Sequence, residues 1–255
     1  RYRVEAVASR RRVAMRDAGT DRSDRRAMTD DAPFHVGLTP ERIVAEAVAL
    51  TRETHLLGWS VRDLARRLDV APSVLYHHVG GKDVIVRRVV EDVLDGILIP
   101  DAALPWQAWF RALVLPAREV IGAHEGVAKW LLMHGPTLEP LLPTVERGVE
   151  VLLRDGFGEH APMAYAAIVN NALGALAMGD DRRLVEDDGP RDLVTMRDAM
   201  RGADADPSTL ELIVSTMIDP FIGDDRRMLD AEAAYVAFIL ETTLAGLESL
   251  REGGW

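Results

Sequence analysis

The 255-residue sequence predicts an all-α protein, with an N-terminal three-helix helix-turn-helix domain linked to a larger C-terminal helical domain. Three observations carry this. Within Ser60 to Lys82, apolar residues recur at helical spacing in two short runs, Val61, Leu64, Ala65 and Leu68, then Val74, Leu75 and Val79. Helix start and stop signals punctuate the chain: Thr39 before Pro40, Pro100 after an apolar run, Gly156 after Asp155. Two late segments, Pro162 to Met178 and Ala231 to Leu250, are apolar on most sides and so demand burial all round.

In order along the chain, Arg1 to Pro33 is rich in Arg, Asp, Ser and Ala with almost no large apolar side chains. Residues 1–37 therefore read as a disordered basic extension, and Met28 would be a natural start. Leu38 to His55 is the first helix: Thr39 caps it, Pro40 sits in the first turn and Glu41 near the positive dipole end. Ile43, Ala47, Leu50 and Thr54 form its inward stripe with Val44 and Val48 beside it, and Trp59 is expected to close a small core. Ser60 caps the second helix. Asp69 takes a turn position that favours a left-handed backbone, and Pro72 opens a third helix for which Ala71 is a poor cap. These three helices make a domain over residues 38–84, followed by 85–255.

Lys82 to Ile99 is the linking helix, stopped by Pro100. Trp106 to Ala123 contains Pro116 and should kink there. Helices over Gly126 to His134 and Leu141 to Arg154 follow. Gly179 to Asp230 reads as a long acidic loop interrupted by one short helix, Ser208 to Met217. The two strongly apolar helices on either side suit a homodimeric four-helix bundle, two helices from each protomer.

The net charge of −11 opposes nucleic-acid binding at first sight. Its distribution reverses that: residues 1–26 hold nine Arg against four acids and residues 39–88 eight Arg or Lys against six, so the acid lies in the C-terminal body. Cysteine is absent, which fits a reducing cytoplasm. No run of eighteen apolar residues and no signal-peptide core is seen, so no membrane partner is expected. No GxSxG, Walker loop, HExxH or dinucleotide fingerprint occurs and the histidines lack metal spacing, which argues against an enzyme, a cofactor or a metal site.

Ser73 to Asp83, SVLYHHVGGKD, resembles the recognition helix and following turn of the TetR (tetracycline-repressor-like) family of transcription regulators, with Leu75, Tyr76, His78, Val79 and Lys82 in the family's pattern. With the preceding helix the resemblance covers about fifty contiguous residues. It implies a ligand-responsive DNA-binding regulator, a repressor acting as a homodimer on a pseudo-palindromic operator in double-stranded DNA and released by a small-molecule effector. The alternative is a helical ligand- or partner-binding dimer whose helix-turn-helix no longer binds DNA. By matching position, Arg62 would read a guanine edge, with Ser60 or Val61 at a phosphate-capping end. Ser73, Val74 and His77 would face bases, and Tyr76, His78 and Lys82 would bind phosphates.

Weaker resemblance extends into the body through WQAWFR at Trp106, RDGF at Arg154, ALGALAMGDD at Ala172 and ILETTLAGLESL at Ile239. The resemblance stops at the ligand. Where tetracycline repressors carry drug- and metal-contacting residues, this chain has Leu98, Leu113, Ala117 and Met178, which argues against magnesium-tetracycline. What is left is an apolar pocket, with Trp109, Leu113, Trp130, Met133, His134, Asn170, Asn171 and Met178 as candidate walls.

Overall fold

The computed structural model describes residues 38–135, 138–183 and 192–254, without side-chain detail for 181–183 and 225. The N-terminal extension therefore lies outside the described residues. Residues 38–255 form one compact unit. Among the described residues every regular element is helical, as the sequence predicts.

Helix α1 (Pro40–Glu53) starts where its signals place it, with Thr39 Oγ1 accepting from the Arg42 N–H at 3.3 Å. Its buried stripe is Ile43, Val44, Ala47 and Thr51, so Thr51 takes the inward place expected of Leu50 and Thr54. The reason is polar: the Thr51 hydroxyl donates to the Ala47 carbonyl at 2.8 Å and accepts the indole N–H of buried Trp59 at 3.0 Å. Trp59 closes the small core as predicted. Helix α2 (Val61–Arg67) has a reciprocal capping box, in which Ser60 Oγ accepts from the Asp63 N–H and Asp63 Oδ2 accepts from the Ser60 N–H at 2.9 Å. Asp69 takes φ 54° in the turn, the left-handed conformation expected of it. Helix α3 (Pro72–Val79) begins on Ala71 with no side-chain cap, also as expected.

Helix α4 (Lys82–Asp95) is shorter than predicted. It ends at Gly96, and Ile97 to Pro100 lead out in non-helical conformation, because Pro100 cannot follow a helical residue comfortably. Helix α5 (Trp106–Gly122) continues through Pro116, whose exposed position leaves the unpaired carbonyl of exposed Ala112 open to water. Helices α6 (Val127–His134) and α7 (Leu142–Arg154) follow closely on expectation. Helix α8 (Ala161–Arg183) and helix α11 (Asp225–Gly253) are both longer than predicted. By length and composition each could cross a bilayer, yet each buries a face in the protein and packs on the other.

Neither is buried all round: α8 leaves Met163 and Met178 exposed, and α11 leaves Phe238 and Leu250 exposed. The described residues of the predicted acidic loop are largely helical instead. Helix α9 (Leu193–Arg201) and helix α10 (Pro207–Ile213) are both capped by aspartates, Asp192 and Asp206, and α10 passes into a wider π turn at Val214–Ile218. Short Asp-initiated helices are hard to see in sequence because acidic residues there resemble solvated loop.

Two apolar clusters hold the unit. The first joins Ile43, Leu56, Leu64, Leu75, Ile85 and Val89 of the helix-turn-helix region to Ile121, Val127 and Leu131 of α5 and α6. The second gathers Trp109, Phe110, Leu152, Phe157, Ile168 and Leu240. Helix α4 thus contributes to the same core as the helix-turn-helix and the body.

Candidate nucleic-acid interface and ligand cavity

Helices α2 and α3 cross with Leu64, Ala65, Leu75 and Val79 buried between and behind them, which turns the opposite side of both helices outward. That outer side carries Arg62, Ser73, Tyr76, His77 and His78, with Val74 half-buried at its edge. The His77 and His78 rings lie 6.0 Å apart and nearly perpendicular, so they offer separate donors and not a shared ion site. Val61 is a correction: it is buried in the core, because position 61 starts the inward stripe of α2, and it cannot reach a phosphate. Ser60 is exposed but its hydroxyl is already engaged with Asp63 Oδ2 at 2.6 Å.

The three arginines of α2 have different surroundings. Arg67 donates to Glu46 at 2.9 Å and to Glu53 at 2.8 Å, and these carboxylates raise its pKa and tie α2 to α1. Arg66 pairs with Asp63 at 2.9 Å. Arg62 has neither partner and projects alone among the described residues, so it keeps all five donors for an external acceptor. Lys82, at the start of α4, is less free than its position suggests. Its ammonium donates to the Leu57 carbonyl at 3.0 Å and stands 5.2 Å above the Trp59 ring.

A polar seam joins this region to the body. Arg52 Nε donates to His124 Nε2 at 2.8 Å, and the other ring nitrogen of His124, 2.8 Å from the Val120 carbonyl, then carries the proton. Burial lowers the His124 pKa and the nearby Arg52 charge lowers it further, against the opposite pull of the Val120 carbonyl and Asp92. The Leu56 N–H donates to the Glu125 carbonyl at 2.8 Å, and the Gly126 N–H to the buried Asp180 carboxylate at 2.9 Å. Gly126 has φ 90°, and a Cβ there would come within 2.4 Å of the His55 ring. Nothing in the sequence patterns pointed to this seam, since its members are one residue from each of several distant segments.

Between α4, α5, α6, α7 and α8 lies a cavity of about 580 Å³. Leu113 and Asn170 line it, as predicted. The other candidates do not. Trp109 is fully buried core behind the wall, its indole N–H donating to the Pro100 carbonyl at 3.2 Å. Trp130 stacks on His134 at 3.9 Å on the outer side of α6, and Met133 is exposed. Asn171 donates to Thr243 on α11, and Met178 is exposed on another face of α8. Each of these lies on the wrong face of its helix, an angle that a list of apolar or polar residue types cannot supply.

The cavity's polar groups were mostly missed: Asp95, Arg118, Thr144 and Tyr165 join Asn170. Tyr165 is seated where α7 comes close at Gly148, whose absent side chain leaves room for the phenol ring 2.6 Å from where a Cβ would be. Burial pushes the Tyr165 pKa up to about 12, so it is a neutral hydroxyl throughout the physiological range. A signal existed: Tyr165, Val169, Leu173 and Leu176 share one face of α8 at helical spacing.

These features define a class: a protein helical throughout its described residues, in which a helix-turn-helix is joined to a body with a cavity between its helices. The TetR-family resemblance read from the sequence is met by relatives in sequence and by solved structures in fold. In sequence the chain is similar to tetracycline repressor protein class D of Escherichia coli and class H of Photobacterium damsela subsp. piscicida, 27% identical to each over 143 residues. Those matches cover 54% of this chain and 65% of each relative's length. No family model matches.

In fold it is similar to a possible TetR family transcriptional regulator from Streptomyces coelicolor A3(2) (TM-score 0.65, 23% identity, 82% of this chain and 98% of that one). It is also similar to a single-residue variant of TetR from Acinetobacter baumannii AYE in complex with minocycline (0.61, 21%, 84% and 95%) and to Streptomyces coelicolor ActR in complex with actinorhodin (0.60, 20%, 82% and 97%). The chain has the TetR-family fold.

Proposed function

We propose that this chain is a ligand-responsive DNA-binding transcription regulator, a repressor that leaves its operator when a small, largely apolar molecule fills the cavity. The observation that carries the reading is the course of α4: it begins at Lys82, beside the outward face of α3, and ends at Leu94 and Asp95 in the cavity wall. A ligand shifts two states only by its differential affinity for them, so a molecule that repositions the end of α4 favours one placement of the recognition helices over another. Neighbours of the same fold in complex with actinorhodin or minocycline support a small organic effector.

In this reading residues 38–84 meet double-stranded DNA and residues 85–255 bind ligand and dimerise. Arg62 reads a base edge, and Ser73, Val74 and His77 face the major groove. Ser60, Tyr76, His78 and Lys82 lie against phosphates, for which Lys82 must leave the Leu57 carbonyl. A homodimer on a pseudo-palindrome follows from two-fold symmetry, and the work is done in the cytoplasm without membrane or enzymatic activity. The test is fluorescence anisotropy of the full chain on its flanking intergenic DNA across a salt series. Sequence-selective binding with a steep negative salt slope is expected, and equal, weak binding to every fragment would overturn the reading.

A further inference from the structure

Beyond the general reading of an apolar effector, and resting on it, the cavity wall carries one cation whose ion pairing among the described residues is a single long contact. Arg118 lines the 580 Å³ cavity and also a second, smaller hollow on its other side, about 360 Å³. Its side chain is only 23% exposed, and its one ion-pair contact is with the adjacent Glu119 at 3.4 Å, at the long limit of a hydrogen bond. A guanidinium has five donors. That one long contact leaves most of those donors for a ligand anion in the cavity.

Arg118 is the one cation among the described residues that line the cavity. Around it the wall offers neutral hydrogen-bonding groups, the Tyr165 hydroxyl, the Asn170 amide and the Thr144 hydroxyl, and otherwise mostly aliphatic surface. The single carboxylate among the described residues of the wall, Asp95, is exposed at the end of α4, and the ion pair of Arg118 is with Glu119. The second hollow is acidic, with Glu119, Asp180, Asp230 and Glu232 in its wall, so an anion is repelled from that side and must approach from the apolar one.

We infer that the effector is an amphiphilic acid, an aromatic or alicyclic body carrying one carboxylate, sulfonate or equivalent anion, and that Arg118 is the residue selecting it. The body fills the apolar space, the anion takes the guanidinium, and Tyr165 and Asn170 donate to further acceptors on the ring system. Bidentate pairing of an arginine with a planar oxyanion supplies both strength and direction.

Two fluorescent probes with one aryl skeleton separate charge from shape: 1-anilinonaphthalene-8-sulfonate, an anion, and N-phenyl-1-naphthylamine, which is neutral. Both are titrated against the full-length chain, Arg118→Met, Arg118→Lys and a cavity-filling Leu173→Trp. The expected result is that Arg118→Met weakens the sulfonate by about tenfold with the neutral amine unchanged, and that Arg118→Lys restores most of the difference. Leu173→Trp should remove binding of both. Equal losses of the two probes in Arg118→Met would mean that Arg118 only shapes the wall, and the inference falls. So it does if the wild-type chain shows no preference for the sulfonate, while the cavity reading stands. Binding of both probes untouched by Leu173→Trp would overturn the cavity reading itself, and the inference with it.

Discussion

At the scale of single residues, charge pairing sorts side chains that look alike in sequence. Arg62, Arg66 and Arg67 sit in one short helix, but only Arg62 is without an acidic partner among the described residues, because Asp63, Glu46 and Glu53 engage the other two. Arg62→Ala should therefore cost about 1–3 kcal/mol of operator binding and relax preference at one base pair, read by anisotropy against single-base operator variants. Arg67→Ala should instead lower thermal stability by loosening α1 from α2. Equal loss of specific and random DNA binding in Arg62→Ala would move that residue to the phosphate contacts. His124 is the residue for pH. It is held neutral, with its pKa below the ordinary value, so its contribution to stability is complete above the unfolded pKa of about 6.5 and is lost as pH falls below it. Wild-type unfolding midpoints should fall between pH 7 and pH 5 more steeply than those of His124→Gln, measured by chemical denaturation at each pH.

At the scale of elements, the helix ends decide geometry. The Ser60 and Asp63 capping box sets where α2 begins, and Ser60→Ala should cost about 0.5–2 kcal/mol in urea denaturation. The corner before α6 is more demanding. Gly126 needs positive φ and has the His55 ring in the space of a Cβ, so Gly126→Ala should destabilise by about 1–3 kcal/mol and also shift the seam between α1 and α6. Urea denaturation gives the first quantity, and a changed effector concentration for half-release gives the second. An Ala variant with wild-type stability would show that the corner relaxes freely.

At the scale of the whole molecule, α8 and α11 pack on each other yet leave Met163, Phe238 and Leu250 in water, an arrangement that a second copy of the chain would complete. Phe238→Glu, at a side chain that is 62% exposed, should leave the protomer folded and shift its mass to that of a monomer by light scattering. A wild-type chain already monomeric at micromolar concentration would remove the basis for a palindromic operator. Operator affinity should fall when dimerisation is lost, since each half-site alone supplies only part of the contacts.

Much was determined by the sequence alone. The all-α class, the caps at Thr39 and Ser60, the left-handed turn at Asp69 and the α2–α3 pair all rest on local spacing and local hydrogen bonds, which a linear reading contains. The outward residues of α3 were legible for the same reason, since burying Leu75 and Val79 turns Tyr76, His77 and His78 outward. The cavity was not. Trp109, Trp130 and Asn171 have the residue types of a pocket wall but face the core, His134 and α11. Arg118 lines the cavity without any local mark, and Tyr165 is marked only by sharing one face of α8 with Val169, Leu173 and Leu176. A wall made from five helices depends on how each is rotated against its neighbours, and that rotation is settled by packing between segments far apart in the chain.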